Sequence, residues 1–405
     1  MESQNATRTG FIFFYITVFI LYSLSNFVDR FSLFYLYSYA YIYKFSVYLM
    51  WLFIAILSFN IKISARMNIF ICILLFYMFF DIKVGAVAFV TYFLPVIATF
   101  FFFSNFINSK NEINFVITCL GVFFVLSVFY AAFNEVFGYA DFEIAAFNLL
   151  GNLFDSGEVR IRSFFVGEQT LYIHGLSIVI LSFIFANKYR YIFLFAFIVL
   201  LCFYIPKNPA MFMCIFVLML FVVRVNFSPV LFHIYFIVNI LIFYYFAKIT
   251  YFSGIVSLHG TVLGYTPFGV PSVITRYEIW DQVASFLFAN PFGYGLGTAS
   301  YVLGSVKIIA PHSEYLKTLL ELGILGFCIF YIFLYHMVKT ACFLYAKTKN
   351  NILLYFVAYL FAFVFISFFN DHFFGNAEKL FFWMFAGLVY NFNSKALKTL
   401  MLNIR

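Results

Sequence analysis

The chain has 405 residues, of which 65% are hydrophobic and 10% charged, and its mean hydropathy of +1.01 is spread along the whole length, with no stretch of about 100 residues of ordinary globular composition. No water-exposed globular surface carries that ratio, which excludes both a soluble enzyme and a soluble domain on one anchor; the expected fold class is an all-α polytopic membrane protein, a single integral membrane domain over residues 1–405. The net charge of +8 does not point to nucleic acid or an acidic partner, because Lys and Arg collect on the cytoplasmic side of membrane proteins for reasons of insertion. Phe supplies 67 residues and Tyr 31, beside abundant Ile, Asn and Lys, the pattern of an AT-rich coding bias in which Phe fills lipid-facing positions that Leu could fill.

The N-terminal MESQNATRTG precedes an apolar run without a small-residue cleavage site, so the first hydrophobic stretch reads as a retained span. With roughly 20 apolar residues needed to cross the hydrocarbon core and about 17 tolerated, spans are expected near 11–28, 45–61, 67–80, 84–107, 113–132, 168–187, 191–205, 210–224, 229–247, 314–338, 351–369 and 380–393. That makes about twelve, with 31–43 (FSLFYLYSYAYIY) as a candidate re-entrant or interfacial segment. With the N-terminus inside, the cytoplasmic segments carry Arg8, Lys62, Arg66, Lys110, Lys188, Arg190, Arg224, Lys339, Lys347, Lys349, Lys395, Lys398 and Arg405 against only Glu2 and Glu112. This asymmetry puts both termini in the cytoplasm. It also puts two longer polar stretches, 133–167 and 248–313, on the outer face, where function is expected. No internal repeat is visible, which speaks against a transporter built on inverted repeats. The six cysteines, Cys72, Cys119, Cys202, Cys214, Cys328 and Cys342, lie in or beside apolar runs and read as small buried hydrophobes, with no metal or disulfide framework implied.

Few residues are equipped for chemistry. The first outer loop ends with Arg160 and Arg162 before a span carrying Glu168 and His174. Two guanidinium groups at a membrane surface suit phosphate oxygens bidentately; the alternative is local pairing with Asp155 and Glu158. Lys207 is a third cation, in the turn IPKNPA. In the second outer loop, TRYEIWDQVASFLFAN reads as an amphipathic helix near 275–290, with Ile279, Trp280, Val283, Phe286 and Leu287 on one face and capping-box spacing between Thr275 and Glu278. Arg276 then falls in the first turn, where a cation opposes the helix dipole and invites an anionic partner, or is a solvated loop charge. Gly293, Gly295 and Gly297 follow no strand, so they form no dinucleotide fingerprint and instead allow a tight turn or a close backbone approach. His312 stands at the start of the next span, with Glu314 in its first turn and Lys317 and Glu321 spaced as an ion pair. His312 suits a base or hydrogen-bond donor, or equally an interfacial His bonded to a loop. His233 and His336 receive no role. No metal site, nucleotide-binding loop or cofactor motif is present in the sequence, so a transfer at the outer face needs a preactivated donor such as a lipid diphosphate.

At these residues the chain resembles the bacterial O-antigen polymerase and ligase superfamily, the Wzy and WaaL proteins. The pattern of His, then Asn, Ser or Gln, nine residues, Gly, two residues and Gly is met by His312, Ser313, Gly323 and Gly326. Arg276, Trp280 and Asn290-Pro291-Phe292-Gly293-Tyr294-Gly295-Leu296-Gly297 extend the likeness over 275–326, and Arg162, Phe164, Phe165 and Glu168 extend it more weakly. One departure stands at Lys207, where the family has Ser-Arg or Thr-Arg: a lysine replaces the charge but not the bidentate geometry. The resemblance implies a GT-C-like fold and a glycosyltransferase with no metal or cofactor at the periplasmic face of the bacterial inner membrane, acting on undecaprenyl-diphosphate-linked oligosaccharide. Its partners would be that substrate, membrane lipid and a chain-length regulator protein. It implies His312 as the group that positions or deprotonates the acceptor, Glu168 or Glu314 as alternative bases, Arg276, Arg160, Arg162 and Lys207 on the diphosphate, and Trp280 on the glycan. The partial match at Arg162 to Glu168 favours an O-antigen polymerase over a ligase that transfers glycan to lipid A core; a lipid-linked oligosaccharide flippase is the reading from another class.

Overall fold

The computed structural model describes residues 2–35, 37–59, 65–107, 109–138, 168–203, 207–252, 282–304, 313–368 and 379–392. Among them there is no strand. The helices are α1 (Glu2–Tyr35), α2 (Tyr37–Ser58), α3 (Ala65–Met78), α4 (Ile82–Ala88), a π-helical segment (Phe89–Phe93), α5 (Leu94–Asn105), α6 (Lys110–Phe137), α7 (Glu168–Ile184), α8 (Arg190–Phe203), α9 (Lys207–Val225), α10 (Val230–Phe252), α11 (Ala299–Gly304), α12 (Glu314–Thr348), α13 (Asn351–Ile366) and α14 (Leu380–Phe392). A further helical stretch covers 282–289.

Helix is present in each of the twelve segments expected from hydropathy. Among the described residues, five helices are long and apolar enough to cross a bilayer: Thr7–Ser25, Tyr39–Ser58, Ile82–Asn105, Lys110–Asn134 and Glu314–Thr348. The other apolar helical segments among the described residues, such as Ala210–Val225, Val230–Ile242 and Asn351–Ile366, have 10–17 residues. Three local details go beyond the hydropathy reading. The stretch 31–43 continues as helix on both sides of residue 36. The expected span 84–107 is broken into α4, a π-helical turn and α5; Pro95 has no N–H to give to the Thr91 carbonyl, and the Thr91 hydroxyl bonds back to the Val87 carbonyl at 2.7 Å. Finally, α12 runs on past 338 to Thr348, where Lys349 closes it in a left-handed conformation.

The chain divides into two compact units. The first comprises Met1–Asn60, Leu94–Ala210 and Asn376–Arg405. Its centre is α5, buried from Leu94 to Ser104. Tyr15 of α1 stacks on Phe102 at 4.1 Å and its hydroxyl bonds Thr99 at 3.2 Å. From α14, Gly387 lets the backbone approach the Phe100 carbonyl, and Asn391 donates to the Phe103 and Ile107 carbonyls at the C-terminal end of α5. The start of α6 is closed by a reciprocal capping box between Ser109 and Glu112. Arg8 joins it, bonding Glu112 at 2.9 Å and the Phe106 carbonyl.

The second unit comprises Ile61–Phe93 and Met211–Gly375. Here α13 is buried along nearly its whole length. Phe212 meets Tyr359 and Phe363 edge-on, the Tyr235 hydroxyl of α10 donates to the Phe361 carbonyl at 3.0 Å, and Phe70 of α3 stacks on Phe330 and Phe333 of α12. His233 bonds the Tyr331 hydroxyl and lies 4.2 Å from the Tyr335 ring, a helix-to-helix contact between α10 and α12. In a bilayer such contacts gain dispersion and hydrogen bonding rather than release of water. The cysteines depart from the expectation of buried hydrophobes: Cys342 is buried, whereas Cys72, Cys202, Cys214 and Cys328 are exposed on apolar helices, where a small thiol costs nothing against lipid.

Candidate functional site

The start of α12 is built by its neighbour α13. The last carbonyls of a helix lack intrahelical donors, and those of α13 are taken up here. The Glu314 N–H donates to the Ser367 carbonyl at 3.0 Å, the Ser313 hydroxyl donates to the same oxygen at 3.3 Å, and the Tyr315 hydroxyl donates to the Val364 carbonyl at 3.0 Å. One helix end thereby caps the other, with opposite dipole ends in contact. Glu314 is 1% exposed in the first turn of α12, where the helix dipole favours a negative charge. Glu321 follows two turns on, also buried, and Thr318 between them donates to the Glu314 carbonyl at 2.8 Å. Lys317 holds its ammonium 4.7 Å from the centre of the Tyr92 ring, a cation–π contact.

Two turns further, α12 breaks. Gly323 has φ 63° and ψ −170°, a backbone region essentially reserved for glycine. In an unbroken helix the Ile324 N–H would bond the Leu320 carbonyl. Instead Ile324 N–H goes to the Pro291 carbonyl at 3.0 Å, while the Leu320 and Glu321 carbonyls accept from Tyr294 N–H at 2.9 Å and Gly295 N–H at 3.0 Å. The loop and the opened helix therefore satisfy each other's backbone, as buried amides require.

The loop's own sequence makes this possible. Pro291 disfavours helix at Asn290, so the helical stretch 282–289 stops there. The Asn290 side chain donates to the Gly293 carbonyl at 2.8 Å and closes the turn. A methyl group on Gly293 would fall on the Gly323 nitrogen, and one on Gly323 would fall on the Phe292 carbonyl carbon; only glycine at both positions lets the chains meet. The close backbone approach expected of the glycines is thus present. Val283, Phe286 and Leu287 of the amphipathic stretch pack with Ala299 and Leu303 of α11 and Leu316 and Leu320 of α12, so this face lies on protein.

Of the candidate site residues singled out in the sequence, Glu314 is described with its side chain; Gly323 and Gly326 stand with it on α12, and Ser313 is the N-cap of that helix. Glu168 opens α7 and Lys207 opens α9, both in the first unit, and no side-chain geometry is described for either. Arg160, Arg162, Arg276, Trp280 and His312 lie outside the described residues, as do 139–167 and 253–281 of the two long loops. One residue that received no role in the sequence stands out in the first unit: His174, 0% exposed, with Phe381 at 4.7 Å, Phe19 at 5.9 Å, Phe124 at 6.2 Å and Phe123 at 6.3 Å between ring centres. Its only signal in the sequence is an ionisable group in the middle of a span. Comparison with protein-family models, with curated proteins and with solved structures finds no match.

Proposed function

We propose that this chain is a polyprenyl-diphosphate-dependent glycosyltransferase of the O-antigen polymerase kind, working at the periplasmic face of a bacterial inner membrane with both termini in the cytoplasm. A sugar hydroxyl of one undecaprenyl-diphosphate-linked repeat unit attacks the anomeric carbon of the growing chain on another. The new C–O bond forms as the bond to the carrier diphosphate breaks, the electron pair leaves on the diphosphate, and the hydroxyl proton passes to a base. His312 is that base or the group that orients the hydroxyl, with Glu168 and Glu314 as alternatives. Arg276 and Arg162, helped by Arg160 and Lys207, neutralise the departing diphosphate, and Trp280 offers its ring to the glycan.

The observation that carries this reading is the interlock of residues 291–295 with 320–324. The two halves of the sequence pattern, Asn290–Gly297 and Ser313–Gly326, are joined through backbone that only glycine permits. Two buried carboxylates, Glu314 and Glu321, stand on the same helix, and ionisable groups within a span are costly and usually face a cavity or each other. The test is a complementation series. His312→Ala and Arg276→Ala variants that insert at normal levels are expected to lose long polysaccharide ladders and leave a single repeat unit on the core. An unmodified core instead means a ligase, and intact ladders sink the assignment. Purified protein given lipid-linked repeat units, without and with a core acceptor, separates the two transferases directly.

A further inference from the structure

The turn between α7 and α8, in the first unit, is more rigid than a connection needs to be. Asn187 N–H bonds the Ser182 carbonyl at 2.8 Å and Ala186 N–H bonds that of Phe183 at 3.2 Å, a Schellman closure with Ala186 at φ 50°. Asn187 is 2% exposed, and its amide nitrogen bonds the Asn114 carbonyl at 3.1 Å and the Thr118 hydroxyl at 3.0 Å on α6. Its side-chain oxygen accepts from Tyr189 N–H at 2.9 Å, and Asn114 returns a bond to the Phe185 carbonyl at 3.3 Å. The turn is bolted to α6 and carries two cations, Lys188 exposed and Arg190 half-buried.

Lys188 is exposed, with its ammonium 4.6 Å from the Tyr189 ring centre. The Arg190 guanidinium lies 4.9 Å from the Tyr191 ring and 5.6 Å from the Phe183 ring, and donates to the Tyr191 hydroxyl at 3.4 Å. Among the described residues neither cation has a carboxylate partner, and the acid on the same end of α6, Glu112, is already engaged by Arg8. Directly beside them runs an apolar strip on α8: Tyr191, Phe195 and Ile198, spaced i, i+4, i+7, all exposed, Phe195 by 67%. The strip is about 10 Å long at 1.5 Å per residue.

We propose that this turn seats an anionic phospholipid, its phosphate between Lys188 and Arg190 and an acyl chain along Tyr191, Phe195 and Ile198. Two cations on one fixed turn, with no carboxylate partner among the described residues, suit an anion; the guanidinium fork fits phosphate oxygens, and the adjoining exposed strip suits an amphiphile rather than a free ion. The site is independent of the glycosyltransferase reading.

The experiment uses the full-length protein in a non-ionic detergent, with native mass spectrometry to read binding of phosphatidylglycerol, phosphatidylcholine and inorganic phosphate. The wild type is expected to bind phosphatidylglycerol in preference to phosphatidylcholine. Lys188→Gln and Arg190→Gln should each weaken phosphatidylglycerol binding about fivefold, and together about 25-fold, from about 1 kcal/mol per basic residue near an anionic lipid. Lys349→Gln, at the end of α12, should leave it unchanged, and a melting curve of each variant without lipid checks folding. Equal binding of the two lipids, full competition by inorganic phosphate, unchanged binding in the double variant, or an equal loss in Lys349→Gln would each overturn the proposal.

Discussion

At Gly323 the backbone has φ 63° and ψ −170°, and the space a side chain would enter is filled by the Phe292 carbonyl. Gly323→Ala combines two costs, backbone strain of about 1–3 kcal/mol and an overpacking term of about 1–3 kcal/mol. A melting temperature lowered by several degrees is expected and, under the proposed function, lost polymer in cells. Gly10 is the control: it is helical in α1 with nothing within 4 Å of an added methyl, so Gly10→Ala is expected to be neutral or to stabilise by up to about 1 kcal/mol. A Gly323→Ala protein as stable as the wild type would mean that the loop and α12 part easily. The sequence pattern pointed to Gly323 but not to its conformation, because that is imposed by a loop some thirty residues earlier. The same holds for Glu314. Its place in a first turn could be read from the sequence, whereas its burial depends on Ser313 and Tyr315 meeting the end of α13.

Among the elements, ends and breaks were harder to read than existence. Hydropathy placed a helix in each expected segment, yet it gave no sign of α11, began α1 and α2 at 11 and 45 although they start at Glu2 and Tyr37, and closed α12 at 338 although the helix goes on to Thr348. The extension KTACFLYAKT is less apolar but carries Lys347 in the last turn, where a cation complements the helix dipole. Caps are local, and two predictions rest on them. Ser109→Ala removes one half of the capping box of α6 and should cost about 1 kcal/mol in chemical denaturation. Ala186→Gly relieves a left-handed alanine at the end of α7 and should stabilise by about 0.5–1 kcal/mol. If Ala186→Gly destabilises instead, the Schellman closure is not what holds the turn. The break between α4 and α5 was in principle legible from Pro95, since proline cannot supply the fourth-turn hydrogen bond. Its π-helical form was not, because that form depends on how Thr91 and its neighbours repack.

At the scale of the molecule, the chain passes between the two units at residues 60–61, 93–94, 210–211 and 375–376, so each is assembled from segments far apart in sequence. No composition shift marks those points, because both units are equally apolar. The charge asymmetry does make a testable statement about orientation. In a background with the six native cysteines replaced, Lys207→Cys should react with a membrane-impermeant maleimide in intact spheroplasts, and Lys188→Cys only after permeabilisation. The reverse pattern would invert the topology and remove the proposed site from the periplasm. By itself the sequence determined a helical membrane protein, because hydropathy and length are sums over neighbouring residues and need no partner. The resemblance put 290–297 and 312–326 into one sequence pattern without saying how the two segments meet. Only the tertiary structure decided how they meet. It exchanged hydrogen bonds between the loop and the opened α12, set the end of α13 against the start of α12, and enclosed His174 among four phenylalanine rings. Each of those outcomes depends on partners that only folding brings within reach.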